Sequence, residues 1–372
     1  MSASENNSLS IEMLSNIQAC LKCWQEVRRD QVKIRKIAVG NCNIVYHVQR
    51  PRTSSDDDSS PFQVAYRKYG GTSLAAERRK TAASTNSEAQ ETLIAYAASR
   101  TGQAPLLYGV FAGCRVEQFV DGHTLIAADM SDDMIVKELA EAFAAFHLLR
   151  LPLPNYSQVL LQRLDDVLSR ERLREIADQL KQRHPLVSTE FLTLDMDEPR
   201  LWVRRIAPRI KSPIVLCHYD NNFLNFLVRD KMEGKQRKVV MVDFESSKYF
   251  FRWYDLGSFF LNKIFAWDGR ETKDSGYDFP SESERQRFLS FYMDSIGKLK
   301  TEASNENSLS NLMLEAEFGA LFRCVVMCCN MTTAAVQLAD VDESLLTAIP
   351  QAHQCFHKLR SAFQFKYPDL CA

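Results

Sequence analysis

Asp220, Asn225 and Asp243 are the residues of this chain whose types and spacing could carry a reaction. His218-Tyr219-Asp220 is followed five positions on by Asn225, and eighteen positions later the hydrophobic run Val239 to Val242 ends on Asp243-Phe244-Glu245. In phosphoryl transfer one carboxylate orients the attacking hydroxyl, while an amide and a second carboxylate hold magnesium ions that neutralise the nucleotide phosphates. The stretch supplies those groups in that order. The plain structural alternative is a polar turn followed by a strand that ends in a carboxylate, and the HxDxxxxN spacing alone is only moderately specific.

The elements that must position these groups can be read from periodicity. Residues 8–30 carry Ile11, Leu14, Ile17 and Leu21 at helical spacing. From Lys33 the chain turns β-branched, with Ile34, Ile37 and Val39, then Ile44 to Val48, separated by the turn Gly40-Asn41-Cys42-Asn43. The acidic segment between Pro51 and Pro61 predicts a loop, and Phe62 to Tyr69 a strand that bears Arg67. A helix follows in which Leu93, Ile94, Tyr96 and Ala97 pack while Glu91 points elsewhere, then two short strands around Ala112-Gly113. Beyond Asp121-Gly122 the pattern is mainly helical. Ser131 is the expected N-cap of a helix whose inner face is Ile135, Leu139, Ala142 and Phe146. Residues 156–211 read as further helices with charged faces. A hairpin-like pair, Phe223–Val228 and Val239–Val242, interrupts them, and residues 281–297 and 308–339 return to helix. A sheet-rich part followed by a larger helical part indicates α+β, with a boundary near Asp121 dividing residues 1–120 from 121–372.

Composition narrows the partners. With 372 residues, 45% of them hydrophobic, the chain can bury one large core or two ordinary ones. Lysine plus arginine (46) nearly balance aspartate plus glutamate (47), so no basic field favours nucleic acid or anionic membrane, and a small partner is expected. No apolar run reaches the roughly 20 residues of a membrane span. Phe318–Met331 comes nearest, contains Arg323, and reads as a buried core helix. Cys20 and Cys23 have metal-like spacing without a second pair, which favours a helix face over zinc. The polar N-terminus lacks a signal-peptide pattern and the thiols suit a reducing compartment, so the expected address is cytoplasmic.

SPIVLCHYDNNFLN, VVMVDFE and the trailing FFRWYDLGSFF resemble the choline and ethanolamine kinase family. VAYRKYG, the run from Glu91 to Gly122 and FAAFHLL resemble that family's strand, helix-to-hinge region and following helix. The resemblance covers about residues 35–150 and 212–300, and it implies a two-lobed, protein-kinase-like fold. It also implies an ATP- and magnesium-dependent kinase of choline or a related amino alcohol, as in phospholipid head-group synthesis, and a homodimer. Carried over position by position, Asp220 is the base, Asn225 and Asp243 the magnesium ligands, and Arg67, paired with Glu91, the contact to phosphate. Backbone groups of Gln118 and Val120 would meet adenine, Asn43 lies in the loop over the phosphates, and His218 and Asp255 brace the catalytic loop.

The sequence departs from the family most around the acceptor. Leu224 stands where the family has glycine and Tyr219 where it has asparagine, and the phosphate loop is poorer in glycine. Ser246, Asn262 and Lys263 replace groups that would hold a quaternary ammonium by cation–π and charge contacts, which leaves Asn262, Phe265 and Trp267 as acceptor candidates. The alternatives are an ethanolamine-preferring or other small-alcohol kinase, and a nucleotide-binding pseudokinase. An aminoglycoside phosphotransferase is disfavoured by YDLGSFF, and a protein kinase by the lack of an APE-like segment.

Overall fold

A computed structural model of the chain describes residues 3–39, 43–53, 60–70, 86–155, 157–183, 193–231, 237–262, 279–299, 307–337 and 343–372. The chain forms two compact units, Met1–Asp129 with Leu224–Ser246, and Met130–Phe223 with Ser247–Ala372. The hairpin at 224–246 groups with the N-terminal elements because its first strand pairs with a strand just past Asp121. The first unit thus takes in more than residues 1–120.

In the first unit, β1 (Lys33–Val39), β2 (Asn43–Gln49), β3 (Gln63–Tyr69), β4 (Leu107–Phe111) and β5 (Cys114–Gln118) form an antiparallel sheet in the order β1-β2-β3-β5-β4. Side chains alternate between the faces of a strand, so the register decides what each face carries. Tyr46 opposes Tyr66, Val48 opposes Val64, and Tyr66 opposes Val116. This apolar face packs on α1 (Ala3–Cys20) through Met13, Leu14 and Ile17. The alternate positions Arg67, Arg115 and Glu117 lie on the other face. α2 (Glu88–Arg100) ion-pairs with Arg115 through Glu91, and its Ser87 N-cap accepts from Gln90 N–H while Gln90 reaches back to Ser87 N–H.

Two helix faces differ from the expected ones. In α1 the buried stripe is centred on Met13, Leu14 and Ile17, and Ile11 falls outside it. In α2 the buried positions are Glu91, Ile94, Ala95, Ala98 and Ser99, a strict three-and-four spacing that turns Glu91 inward and leaves Tyr96 exposed. An acid belongs on that face because a buried guanidinium meets it there.

A second small sheet completes this unit, in which β6 (Gly122–Thr124), β8 (Phe226–Arg229) and β9 (Val239–Met241) pair in the order β6-β8-β9. Phe223–Asn225, expected as the start of a strand, forms a 3-10 turn before β8.

The second unit is helical apart from β7 (Ile214–Cys217), which pairs with β10 (Lys248–Phe251). α3 (Asp133–His147) buries Ile135, Leu139, Ala142 and Phe146 as expected, but its N-cap is Asp132, which accepts from Met134 N–H. α4 (Ser157–Leu168), α5 (Arg170–Arg183) and α6 (Asp197–Ile206) fill the region read as further helices. α7 (Arg252–Leu261) follows β10 directly and crosses α9 (Leu309–Gln337), beyond α8 (Glu282–Leu299). A Cβ at Gly257 would collide with the backbone of Ala320, and one at Gly319 with that of Trp253, so the glycines permit the close crossing. Arg252 and Glu315 form a buried ion pair across it, 2.5 Å apart. Cys324, Cys328 and Cys329 are buried in this core, together with residues of α10 (Glu343–Lys366) such as Ile349 and Phe356. A last short helix, α11 (Pro368–Cys371), ends the chain. Among the described residues, no helix is long and apolar enough to cross a membrane.

Candidate active site

The residues expected to handle the nucleotide lie in the first unit, on the charged face of the large sheet and the end of the small one. Arg67 and Arg115 are directly opposed on β3 and β5. Like charges at such a pair repel, and both side chains are buried, so the arrangement requires acids. Glu117 sits 2.5 Å from Arg115 Nε and 3.5 Å from Arg67 Nε. Glu91 pairs with Arg115 at 2.9 Å. The expected Arg67–Glu91 pair is therefore replaced by Arg67–Glu117, with Arg115 taking Glu91, because the register sets Arg115 beside Arg67.

The fifth member is Asp243, whose Oδ1 lies 3.5 Å from Arg67 Nη1. Its side chain is 29% exposed, against 8% for Arg67, so the cluster runs from a buried end to an open one. Asp243 has a left-handed backbone with φ 67°, which aspartate tolerates better than most residues. That bend ends β9 and leads into the turn Phe244–Ser246. Asn86 ties the turn toward α2, its amide donating to Phe244 C=O at 3.0 Å and its N–H to Glu245 C=O at 2.6 Å. Val242 N–H donates to Asn225 C=O at 2.9 Å. Asn225 is thereby held across from the residue that precedes Asp243.

Burial and charge compete in this cluster. Desolvation alone would favour neutral guanidiniums, but the facing carboxylates, Glu117 first, outweigh it and raise both arginines above their ordinary values. Burial also opposes ionisation of Glu117, yet Arg115 and Arg67 hold it below the usual carboxylate range. For Glu91 burial prevails and its carboxyl is pushed up. Arg67 thus stays cationic with one partner, Asp243, at the open end.

The remaining nucleotide candidates also lie in this unit. Asn43 begins β2 and is 3% exposed, and neither polar atom of its buried side-chain amide has a hydrogen-bond partner among the described residues. Gln118 ends β5, its N–H donating to Leu106 C=O at 2.7 Å and its side-chain oxygen accepting from Arg229. Phe119 stacks on His47 with centroids 3.8 Å apart, which anchors the backbone on to buried Val120. Residues Gly40 to Cys42 lie outside the described residues.

In the second unit the loop His218-Tyr219-Asp220-Asn221 is built around Asp255 on α7. The buried carboxylate accepts from His218 N–H at 2.6 Å, Tyr219 N–H at 3.0 Å and Asn221 Nδ2 at 2.9 Å, and His147 Nε2 lies 3.2 Å away. Burial would raise its pKa, but the hydrogen bond and charge of His147, with His218 and Asn221, hold it below the ordinary value. Ser247 Oγ donates to His218 C=O at 3.2 Å. Tyr219 is left-handed at φ 71°, a rare conformation for a bulky residue that persists only where surroundings enforce it. Asp220 follows, half-buried, in the field of Tyr254 and Arg323. Asn262 caps the end of α7 and gives its amide to Asn221 C=O. Phe265, Trp267 and Lys263 lie outside the described residues.

Sequence reasoning did not single out Arg115, Glu117 and Asn221. The first two carried a usable signal, since opposite charges two apart on an otherwise apolar strand share a face and need buried partners. Asn221 carried none beyond its neighbours.

Comparison with known proteins gives a consistent result. The choline/ethanolamine kinase family model matches residues 34–345. Mouse choline kinase alpha is 24% identical over 314 residues, which cover 79% of this chain and 66% of that protein. Rat choline/ethanolamine kinase is 22% identical over 303 residues, 80% of this chain and 73% of that one. A choline kinase structure from Cryptosporidium parvum superposes with a TM-score of 0.68 at 17% identity, covering 95% of this chain and 97% of that chain. With a Ralstonia eutropha structure described as a putative aminoglycoside phosphotransferase, at TM-score 0.53 and 13% identity over 95% and 97% of the two chains, this establishes the protein-kinase-like fold.

Proposed function

This chain belongs to the choline/ethanolamine kinase family, and we propose that it transfers the γ-phosphoryl group of ATP to the hydroxyl of choline or a related small amino alcohol. The observation that carries the reading is the open end of the charge cluster, where buried cationic Arg67 meets the part-exposed Asp243 carboxylate in the unit that also holds Asn225.

The donor set suits the groups assigned to it. An amide and a carboxylate oxygen are the hard donors that magnesium takes alongside nucleotide phosphates. The orphaned amide of Asn43 beside the expected phosphate loop fits a polar ligand. When bound, the metal and nucleotide supply a phosphoryl donor whose charge is neutralised as the group moves. The chain's own part is positioning. Asn225 and Asp243 hold the metal, and Arg67 presents a guanidinium that Glu117 and Asp243 keep charged and oriented. Gln118 and Val120 offer backbone groups to adenine. Asp220 accepts the hydrogen bond of the acceptor hydroxyl and aims its oxygen, with His218 and Asp255 fixing the turn from which it projects. A cytoplasmic location and a homodimer accompany this reading as expectations from the family.

A pseudokinase is not favoured, since Asp220, Asn225 and Asp243 are all present and the Arg67–Asp243 contact is formed. The test is ADP release with choline and with ethanolamine, alongside thermal stabilisation by ATP and magnesium. Wild type should turn over at least one amino alcohol. Asp220→Asn should keep the nucleotide-induced stabilisation and lose turnover by about 100-fold or more, whereas Asp243→Ala should lose both. Nucleotide stabilisation without turnover of either alcohol would defeat the assignment.

A further inference from the structure

Lys248 is a buried lysine that the reaction as described does not use. It is the first residue of β10, pairs in register with Cys217 on β7, and is 5% exposed. Its Nζ lies 4.4 Å from the centroid of the Tyr219 ring. The same ring is stacked on Tyr254, with centroids 4.3 Å apart and planes within 13° of parallel. A face covered by a parallel ring at that distance has no room for an ammonium, so the lysine takes the opposite face. Tyr254 is in turn fixed by Arg323, whose Nη1 donates to its hydroxyl at 2.7 Å. Phe250 closes the edge of Tyr219 at 5.9 Å.

We propose that Lys248 is a positioning residue for Asp220: its ammonium and the Tyr254 ring clamp Tyr219 between them and hold the left-handed turn from which Asp220 projects. This rests on the reading of Asp220 as the residue that orients the acceptor hydroxyl. The φ of 71° at Tyr219 is costly for a residue with a bulky side chain. The Asp255 carboxylate holds the backbone N–H groups of His218 and Tyr219 but does not fix the ring. A cation on a ring face is worth most when it is out of water, and Lys248 is buried against a part-buried ring.

The clamp carries its own pH signature. Burial, then the charge of Arg163 on α4, bring the Lys248 ammonium down to about 7, against the opposing influence of Cys217 on β7. Tyr254, Arg323, Arg163 and Cys329 act on Tyr219 itself, whose own ionisation is pushed well above its ordinary range, first by burial. Of the lysine and the ring it faces, the lysine is therefore the one that changes charge near neutrality. Its cation grips the ring below that point and lets go above it.

The experiment compares wild type with Lys248→Met, Lys248→Arg, Tyr219→Leu and the Lys248→Met/Tyr219→Leu double variant. It reads kcat and KM for both substrates against pH, and hydrogen exchange of the peptide spanning Tyr219 to Asn225. Lys248→Met should lower kcat about three- to tenfold below neutrality, leave KM for ATP unchanged and abolish a fall in kcat through about pH 7. Lys248→Arg should keep the low-pH rate and lack that fall. The double variant should be no slower than Tyr219→Leu, because the lysine acts through the ring. Exchange of the loop peptide should quicken in Lys248→Met even if neither amino alcohol is a substrate, which separates failure of the clamp from failure of the functional reading. Unchanged exchange, or in an active enzyme an unchanged kcat with the pH step intact in Lys248→Met, would overturn the proposal. Replacing a buried ammonium by a thioether of similar length also favours folding, so the key variant should be recoverable.

Discussion

The Arg67 cluster of the first unit and the Asp255 network of the second solve different problems with the same ingredients. In the first, two guanidiniums and three carboxylates face one another side chain to side chain, and the set ends on a part-exposed acid. In the second, one fully buried carboxylate is met by backbone and amide N–H groups and by the His147 ring, and has no exposed end. On the function proposed above, the first leaves charge to be completed by a ligand; the second uses its polar capacity for the shape of a loop. A phosphotransferase needs both, a place where anionic ligands exchange partners and a fixed point from which one oxygen is aimed.

Removing the anchor gives the sharpest contrast. Asp255→Ala removes the buried acceptor of His218 N–H and Tyr219 N–H, leaves Asn221 Nδ2 with Asp255 C=O and Ser258 Oγ, and takes away the charge beside His147. A loss of about 3–5 kcal/mol in urea unfolding is expected, with turnover lost in whatever remains folded. A loss below about 1 kcal/mol would mean that the loop holds its shape without the carboxylate, and the contrast between the units would collapse.

In the first unit the corresponding change is Arg115→Met, which leaves Glu91 without its ion-pair partner and Glu117 with Arg67 alone. We expect about 2–4 kcal/mol of destabilisation at neutral pH. Its pH dependence follows from Glu117. In the wild type this carboxyl is held below its ordinary value, so its contribution is present above the unfolded pKa and lost as pH falls through the lower folded one. Without Arg115 the carboxyl rises and that contribution shrinks or reverses, so the gap between variant and wild type should narrow in acid. Unfolding free energies across the acid limb measure this directly, and a gap that stays constant with pH would place the stabilisation in packing of the arginine stem instead.

Much of this comparison was legible in the sequence, unevenly. Asp220, Asn225 and Asp243 stand out through type and spacing, and strands β1 to β5 through β-branched runs and the turn residues between them, which match the observed strands. The partner of Arg67 does not, because strand pairing sets Arg115 beside it, and no local pattern states which strands are neighbours. Glu91 is expected to point away from the packed positions of its helix and to meet Arg67; the fold turns it inward to Arg115 for the same reason. Tyr219 looked like a substitution that removes no reacting group; its left-handed backbone and covered ring faces exist only in three dimensions. Asn262 was an acceptor candidate, and the fold gives its amide to Asn221 instead.

The smallest predicted effects separate the units most cleanly, because they leave every member of the Arg67 cluster and of the Asp255 network in place. Ser87 and Asp132 each cap a helix by accepting a backbone N–H, from Gln90 in the first unit and from Met134 in the second. Replacing either with alanine should cost about 1 kcal/mol. The consequences for activity should differ. Glu91 lies one residue beyond Gln90, so fraying the first turn of α2 loosens the acid that holds Arg115, and with it Arg67. Asp132 starts α3, whose site-facing residue, His147, is at the far end of a fifteen-residue helix. Ser87→Ala should therefore raise KM for ATP by about two- to threefold with kcat nearly unchanged, while Asp132→Ala lowers thermal stability to a similar degree and moves neither constant. Equal kinetic effects from the two caps would mean that stability alone, not the order of the charge cluster, sets nucleotide affinity.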